Sequence, residues 1–147
     1  MAKTRRGFIS NSSSSSFIVI GDNINIPFFD EQILRIPESF EGTDEFGWSI
    51  DDHTDIGSRI NFAYMQAKLT DNENYLEMLA DVLKTQFEID YIEYALDVDD
   101  WESEHHGYID HQSVGGNNIR MFESEETLIR FIFGEDSYIH TDNDNRY

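Results

Sequence analysis

The most regular apolar pattern of the chain lies between residues 71 and 87, where it predicts one long helix. Apolar side chains recur there at the spacing of a single helical face: Leu76, Leu79, Ala80 and Leu83. Thr70 and Glu73 match a capping box in which Thr70 begins the helix. A helix with this stripe is expected to be well buried, with Leu76, Leu79 and Leu83 in the core.

Shorter patterns on both sides predict two further helices and several strands. One helix is expected from Ser58 to Leu69, and another follows Ser124 and ends at Gly134. Short apolar runs predict strands at residues 17–20, 33–36, 91–96, 118–122 and 138–140. Because helices stand between strands, the predicted fold is α/β, or α+β, with a mixed sheet packed by about three helices.

The length of 147 residues predicts a single domain. Residues 1–16 are interpreted as a basic, serine-rich arm, and residues 17–147 as one acidic α/β domain. Between residues 38 and 55 no period holds, which indicates a long connection pinned to the core by Phe46 and Trp48. The chain has no cysteine, and this excludes disulfides and thiolate metal sites.

The charge of the chain is extreme and unevenly distributed. There are 30 acidic and 10 basic side chains, which gives a net charge of -20. Residues 1–20 hold Lys3, Arg5 and Arg6 and no acid, so the remainder has 30 acids against 7 bases, a net charge of -23. Such a body repels phosphates and anionic membranes, which argues against direct nucleic-acid or membrane binding. It suits a basic protein partner or divalent cations.

The opening of the chain places five consecutive serines, residues 12–16, between two apolar groups. Phe8-Ile9 precede the serines, and an apolar run beginning at Phe17 follows them. We expect Phe8 to lie against the body or a second subunit, since apolar burial must supply most of the energy of docking. The expected binding residues of the opening are Arg5, Arg6, Phe8 and Phe17.

This opening, from Arg6-Gly7-Phe8 through the serine run to Phe17-Ile18, resembles that of a group of uncharacterised proteins from tailed phages and bacteria. In that group the same opening precedes several different bodies. Three later pieces also resemble members of the group: Glu45-Phe46-Gly47-Trp48, the stretch 107–113 and the stretch 141–145. The resemblance implies a phage-related origin and assigns no catalytic residue.

Histidines and acids cluster in a way that allows a metal site. The five histidines are His53, the trio His105, His106 and His111, and His140, and each has an acid nearby. Imidazole with carboxylate suits zinc or manganese and needs no sulfur. The predicted ligands are His106, Asp110, His111, His140 and Asp142. The alternative is an acidic surface loop whose histidines pair with neighbouring carboxylates.

Three functions remain open at this point. The preferred one is a non-catalytic phage-type accessory protein, in the cytoplasm of a bacterial host or associated with the virion, that binds a protein partner or forms a homo-oligomer. The second is a small metal-dependent hydrolase that uses the histidine and aspartate cluster. The third is an acidic mimic of nucleic acid. The first is preferred because the residue spacings match no known catalytic template.

Overall fold

A computed structural model describes residues 16–47, 49–99 and 102–142, and all elements named below lie in these ranges. The strands are β1 (Phe17–Val19), β2 (Ile33–Ile36), β3 (Glu45–Phe46), β4 (Asp51–His53), β5 (Tyr91–Tyr94), β6 (Tyr108–Ile109) and β7 (Tyr138–Thr141). The α-helices are α1 (Ile56–Leu69), α2 (Glu73–Phe87) and α3 (Glu125–Phe133). A first 3-10 helix spans His111–Ser113 and a second spans Gly116–Glu123.

The strands pair in both orientations and form three small sheets. One is antiparallel, with the order β1-β7-β4, and two are parallel pairs, β2-β5 and β3-β6. Parallel partners need a long crossover, and the chain between β2 and β5 supplies it with α1 and α2. The predicted single domain of mixed α and β structure is therefore confirmed, and so are its three helices.

The antiparallel sheet has one buried side and one outward side, because successive side chains of a strand alternate. Ile18 lies opposite Ile139 on the buried side. On the outward side, Phe17 lies opposite His140, and His140 lies opposite Asp52 of the next strand. The sheet thus presents a row of three side chains that crosses all its strands.

Helix α1 is the centre of the core. Every residue from 57 to 67 is buried, including Arg59, Asn61 and Gln66. Their polar groups find backbone partners: Asn61 Nδ2 donates to Thr43 O at 2.9 Å, and the Arg59 guanidinium donates to Gly134 O. The largest fully buried side chains are Phe46, Phe62, Phe131, Phe133, Leu34, Ile36, Met65, Leu79, Leu83, Met121, Leu128 and Ile132.

Helix α2 follows its prediction, but a different residue begins it. Leu79 and Leu83 are fully buried, as predicted, whereas Leu76 is only partly buried. The Asn72 side chain caps the helix by accepting from the backbone N–H groups of Asn74 and Tyr75, so the prediction of Thr70 as N-cap was wrong. The Thr70 hydroxyl instead donates to Gln66 O at 2.7 Å, at the end of α1.

The strand predicted at residues 118–122 was wrong, because these residues belong to the second 3-10 helix. The backbone N–H of Asn118 turns back to Gly115 O at 3.0 Å, which a strand does not allow. The predicted connection at 38–55 contains the short strands β3 and β4. Within it, Phe46 is fully buried, as expected.

Some predictions fall on residues that the structure does not describe. They are the arm residues Arg5, Arg6 and Phe8, together with Trp48. The boundary of the arm at residue 16 therefore stays a prediction.

Candidate protein-binding surface

Strand β1 is held from the side opposite β7 by one buried amide side chain. Asn118 Nδ2 donates to Ser16 O at 2.9 Å, and Asn118 Oδ1 accepts from the Ile18 N–H at 3.1 Å. A neighbouring parallel strand would bond the same two backbone groups through the N–H and C=O of one of its residues. Arg120 Nη2 adds a bond to Ile18 O at 3.0 Å. The second edge of β1 is thus satisfied by side chains.

A buried polar network fixes Asn118, whose two bonds to β1 we call the clamp, to the core helix α1. Ser113 Oγ accepts from the Ser16 N–H at 2.8 Å, and Ser113 O accepts from Asn118 Nδ2 at 2.9 Å and from Gln66 Nε2 at 2.7 Å. Gln66 Oε1 also accepts from the Gly115 N–H at 2.9 Å. Buried polar groups joined in such a network hold their neighbours in one arrangement, although Ser16 Oγ itself has no partner among the described residues. Strand β1 is therefore a rigid support for the side chains it presents.

The outer face, which we define as Phe17, Val19, Asp52, Tyr138 and His140, is the outward side of the antiparallel sheet. Its central row joins an aromatic ring, an imidazole and a carboxylate. The Phe17 and His140 ring centroids are 4.9 Å apart, and His140 Nδ1 lies 2.6 Å from Asp52 Oδ1. Phe17 is 46% exposed although it is a large apolar residue. The predicted binding residue Phe17 is therefore partly exposed, next to the hydrogen-bonded pair of His140 and Asp52.

An open cleft continues the outer face beyond Phe17. It has a volume of about 380 Å³ and is lined by Phe17, Ile18, Asn117, Asn118 and Arg120. The cleft therefore joins the Phe17 ring to amide and guanidinium groups, and aromatic and arginine side chains are enriched at protein interfaces.

His53 lies on the inner side of the same sheet. Its Nε2 lies 3.2 Å from Thr141 Oγ1, and its ring forms a T-shaped pair with the Phe46 ring at a centroid distance of 5.4 Å. Burial lowers the pKa of His53 below its usual value, and His140 adds to this effect. The carboxylates of Asp51, Asp52 and Asp55 act in the opposite direction but do not cancel it. The fold therefore favours the neutral form of His53.

Acidification should weaken the protein through His53. Below the ordinary histidine pKa of about 6.5, the unfolded chain takes up a proton at this residue more readily than the folded chain does. The free energy of unfolding should therefore fall as the pH drops from that value to the lowered pKa of the folded state, and this loss should then stop. In urea melts across this range, the His53→Gln variant should show a flatter pH dependence than the wild type. His111→Gln, at an exposed position, should not, and equal slopes in all three proteins would contradict the assignment.

The five predicted metal ligands are not brought together. His106 forms a β-bridge with Asp97, while Asp110 Oδ2 accepts from Ser113 Oγ at 3.3 Å. His111 begins the first 3-10 helix, His140 pairs with Asp52, and Asp142 follows β7.

Across residues 16–47, 49–99 and 102–142, none of these five joins a group of three ligands whose atoms lie within 4.8 Å of one another. The group that does meet this distance is Glu38, Glu104 and His105. The sequence singled out His105, but it did not indicate that Glu38 lies beside it, because the two residues are far apart in the chain. For the same reason the sequence did not indicate that Asp52 pairs with His140 or that Asn118 bonds to β1.

No α-helix in the described part of the chain is both long and apolar enough to cross a membrane. Comparison of the chain with known protein families, with curated proteins and with solved structures finds no match.

Proposed function

We propose that this protein is a non-catalytic accessory protein that binds a protein partner through the outer face. The observation that carries the proposal is that Phe17 is 46% exposed on strand β1. The second edge of this strand is hydrogen-bonded by the Asn118 side chain. An exposed aromatic side chain on a rigid support loses little conformational freedom on binding, so it is a suitable anchor. The partner would bury the Phe17 ring and cover the adjoining cleft.

The negative charge of the chain indicates what kind of protein the partner is. The chain carries a net charge of -20, so two copies repel each other and a basic protein is attracted. The outer face itself includes the carboxylate of Asp52, which is 59% exposed. We therefore infer a partner with an apolar patch bordered by lysine or arginine, in preference to a second copy of the chain.

The resemblance of the opening segment supports a phage-type role. On this proposal the protein acts in the cytoplasm of a bacterial host, where the partner is a host or phage protein. The metal-dependent hydrolase draws no support from the predicted ligands, because His106, Asp110 and His111 do not share one ligand group with His140 and Asp142.

Replacing Phe17 should abolish the interaction without unfolding the protein. Cross-linked capture from infected and uninfected bacterial cells, quantified by mass spectrometry, would compare wild type, Phe17→Ala and Tyr91→Ala. Tyr91 is a matched control, because it is an aromatic residue that is 67% exposed on a different sheet. We expect a basic protein whose recovery falls at least about tenfold with Phe17→Ala, as for an interface hot spot. Recovery of this partner with Tyr91→Ala should equal that with the wild type. With the wild type, recovery of the partner should decrease as the salt concentration rises.

Two results would contradict the proposal, and a third would favour a different function. One is a partner that binds the Phe17→Ala variant as strongly as the wild type. The other is a stable dimer in sedimentation that Phe17→Ala dissociates, which would assign the outer face to self-association. Recovery of DNA-binding proteins independently of Phe17 would also count against it and would favour the nucleic-acid mimic. Thermal melts of each variant would check that the fold is intact.

A further inference from the structure

A second cluster, distant in sequence from the outer face, joins Glu38, Glu104 and His105. Glu38 lies in the turn after β2, and the other two lie in the loop before β6. His105 Nε2 is 3.4 Å from Glu38 Oε2 and 3.5 Å from Glu104 Oε2. One imidazole nitrogen and two carboxylate oxygens therefore lie within 4.8 Å of one another.

These separations are long for hydrogen bonds and suitable for metal ligands. A charge-assisted hydrogen bond between nitrogen and carboxylate oxygen is shorter, at about 2.7–2.9 Å. Ligands placed tetrahedrally at about 2.0–2.2 Å from zinc are separated by about 3.3–3.6 Å, from the geometry of the tetrahedron. Both distances from His105 Nε2 fall in that second range.

The Nε2 atom of His105 is shielded from solvent and forms no hydrogen bond with any described residue, although the side chain as a whole is 27% exposed. A buried polar atom normally has a partner, and leaving it without one costs free energy. A cation placed between the three groups would accept the nitrogen lone pair and would also neutralise the two carboxylates. One ion would thus satisfy all three groups at once.

Backbone hydrogen bonds already hold both segments in position. Asp97 N–H donates to His105 O at 2.8 Å, and Gly107 N–H donates to Asp97 O at 2.7 Å. On the other side, Ser39 N–H donates to Arg35 O at 2.8 Å, and Ser39 Oγ accepts from the Arg35 N–H at 2.7 Å. Ligands carried on fixed backbone need little reorganisation to bind an ion.

We propose that Glu38, Glu104 and His105 form a binding site for a divalent cation of the zinc class. Imidazole with two carboxylates is a ligand set that zinc accepts, and three protein ligands leave a fourth position for water. The ion would tie the loop before β6 to the turn after β2. Its role would be to hold these two segments together, independently of the outer face.

Calorimetry on untagged protein, freed of metal with a chelator and then dialysed, tests the site with zinc, manganese and magnesium chlorides. We expect one zinc ion per chain at micromolar affinity or better, weaker manganese binding and no magnesium binding. His105→Ala should lower the zinc affinity at least about tenfold, since even outer-shell changes cost that much. His111→Ala and His140→Ala are matched controls and should bind zinc as the wild type does.

Glu104→Gln provides a second variant that does not endanger the fold, because the Glu104 side chain is 86% exposed. It should lose zinc affinity as His105→Ala does, and zinc should raise the melting temperature of the wild type more than that of either variant. Absence of zinc binding by the wild type would overturn the proposal. So would unchanged affinity in both variants, or loss of binding in the His111 and His140 variants instead.

Discussion

Phe62→Ala is expected to lower the free energy of unfolding by about 3–5 kcal/mol. Phe62 lies on α1 and is fully buried, with its ring edge-on to Phe46 at a centroid distance of 4.9 Å. Removing the ring loses its apolar burial and leaves a cavity in a helix-centred core that can collapse only in part. Urea melts followed by circular dichroism would measure the loss.

The matched control is Phe28→Ala, because the Phe28 side chain is 87% exposed. The same chemical change there should alter the free energy of unfolding by no more than about 0.5 kcal/mol. Comparable losses in the two variants would contradict the placement of α1 at the centre of the core.

Asn118→Ala should destabilise the protein by about 2–4 kcal/mol and loosen β1 in particular. The truncation leaves the Ile18 N–H and the Ser16 carbonyl without their side-chain partner. Each buried polar group left unsatisfied costs about 1–3 kcal/mol, and water entering the gap recovers part of that. Hydrogen exchange should show the Ile18 amide losing protection by a larger factor than amides of α2.

Asn117→Ala is the corresponding control, since the neighbouring Asn117 is exposed. We expect its stability and its exchange pattern to match those of the wild type. If Asn118→Ala left the Ile18 amide as protected as before, the clamp would not be what holds β1.

The helices could be predicted from sequence where their apolar residues follow one face, as in α2. Helix α1 has a weaker pattern because it is buried on all sides, and its Arg59, Asn61 and Gln66 form tertiary hydrogen bonds that periodicity cannot show. The error at residues 118–122 has the same origin. Asn118 was predicted to be a strand residue, whereas its side chain forms hydrogen bonds to the backbone of β1 in the way that a neighbouring strand would.

The candidate sites were less predictable than the fold, because each depends on pairs far apart in the chain. Phe17 could be named from its place after the serine run, but its contact with His140 depends on strand order. His140 was assigned to a metal site with His106, yet its partner is Asp52. Of the three histidines clustered at residues 105–111, only His105 lies within ligand distance of two carboxylates, and it was not among the predicted ligands.

The clamp on β1 also bears on how the chain folds during synthesis. Residues 17–19 are made long before Asn118 or Ile139, which supply the partners on their two sides. Helices α1 and α2 can form earlier from local contacts, whereas the backbone groups on both edges of β1 stay unpaired until Asn118 and β7 have been made. Completion of the antiparallel sheet is thus a late event that follows translation of residues 138–141, and a chain halted before them exposes an unpaired, aromatic strand to aggregation.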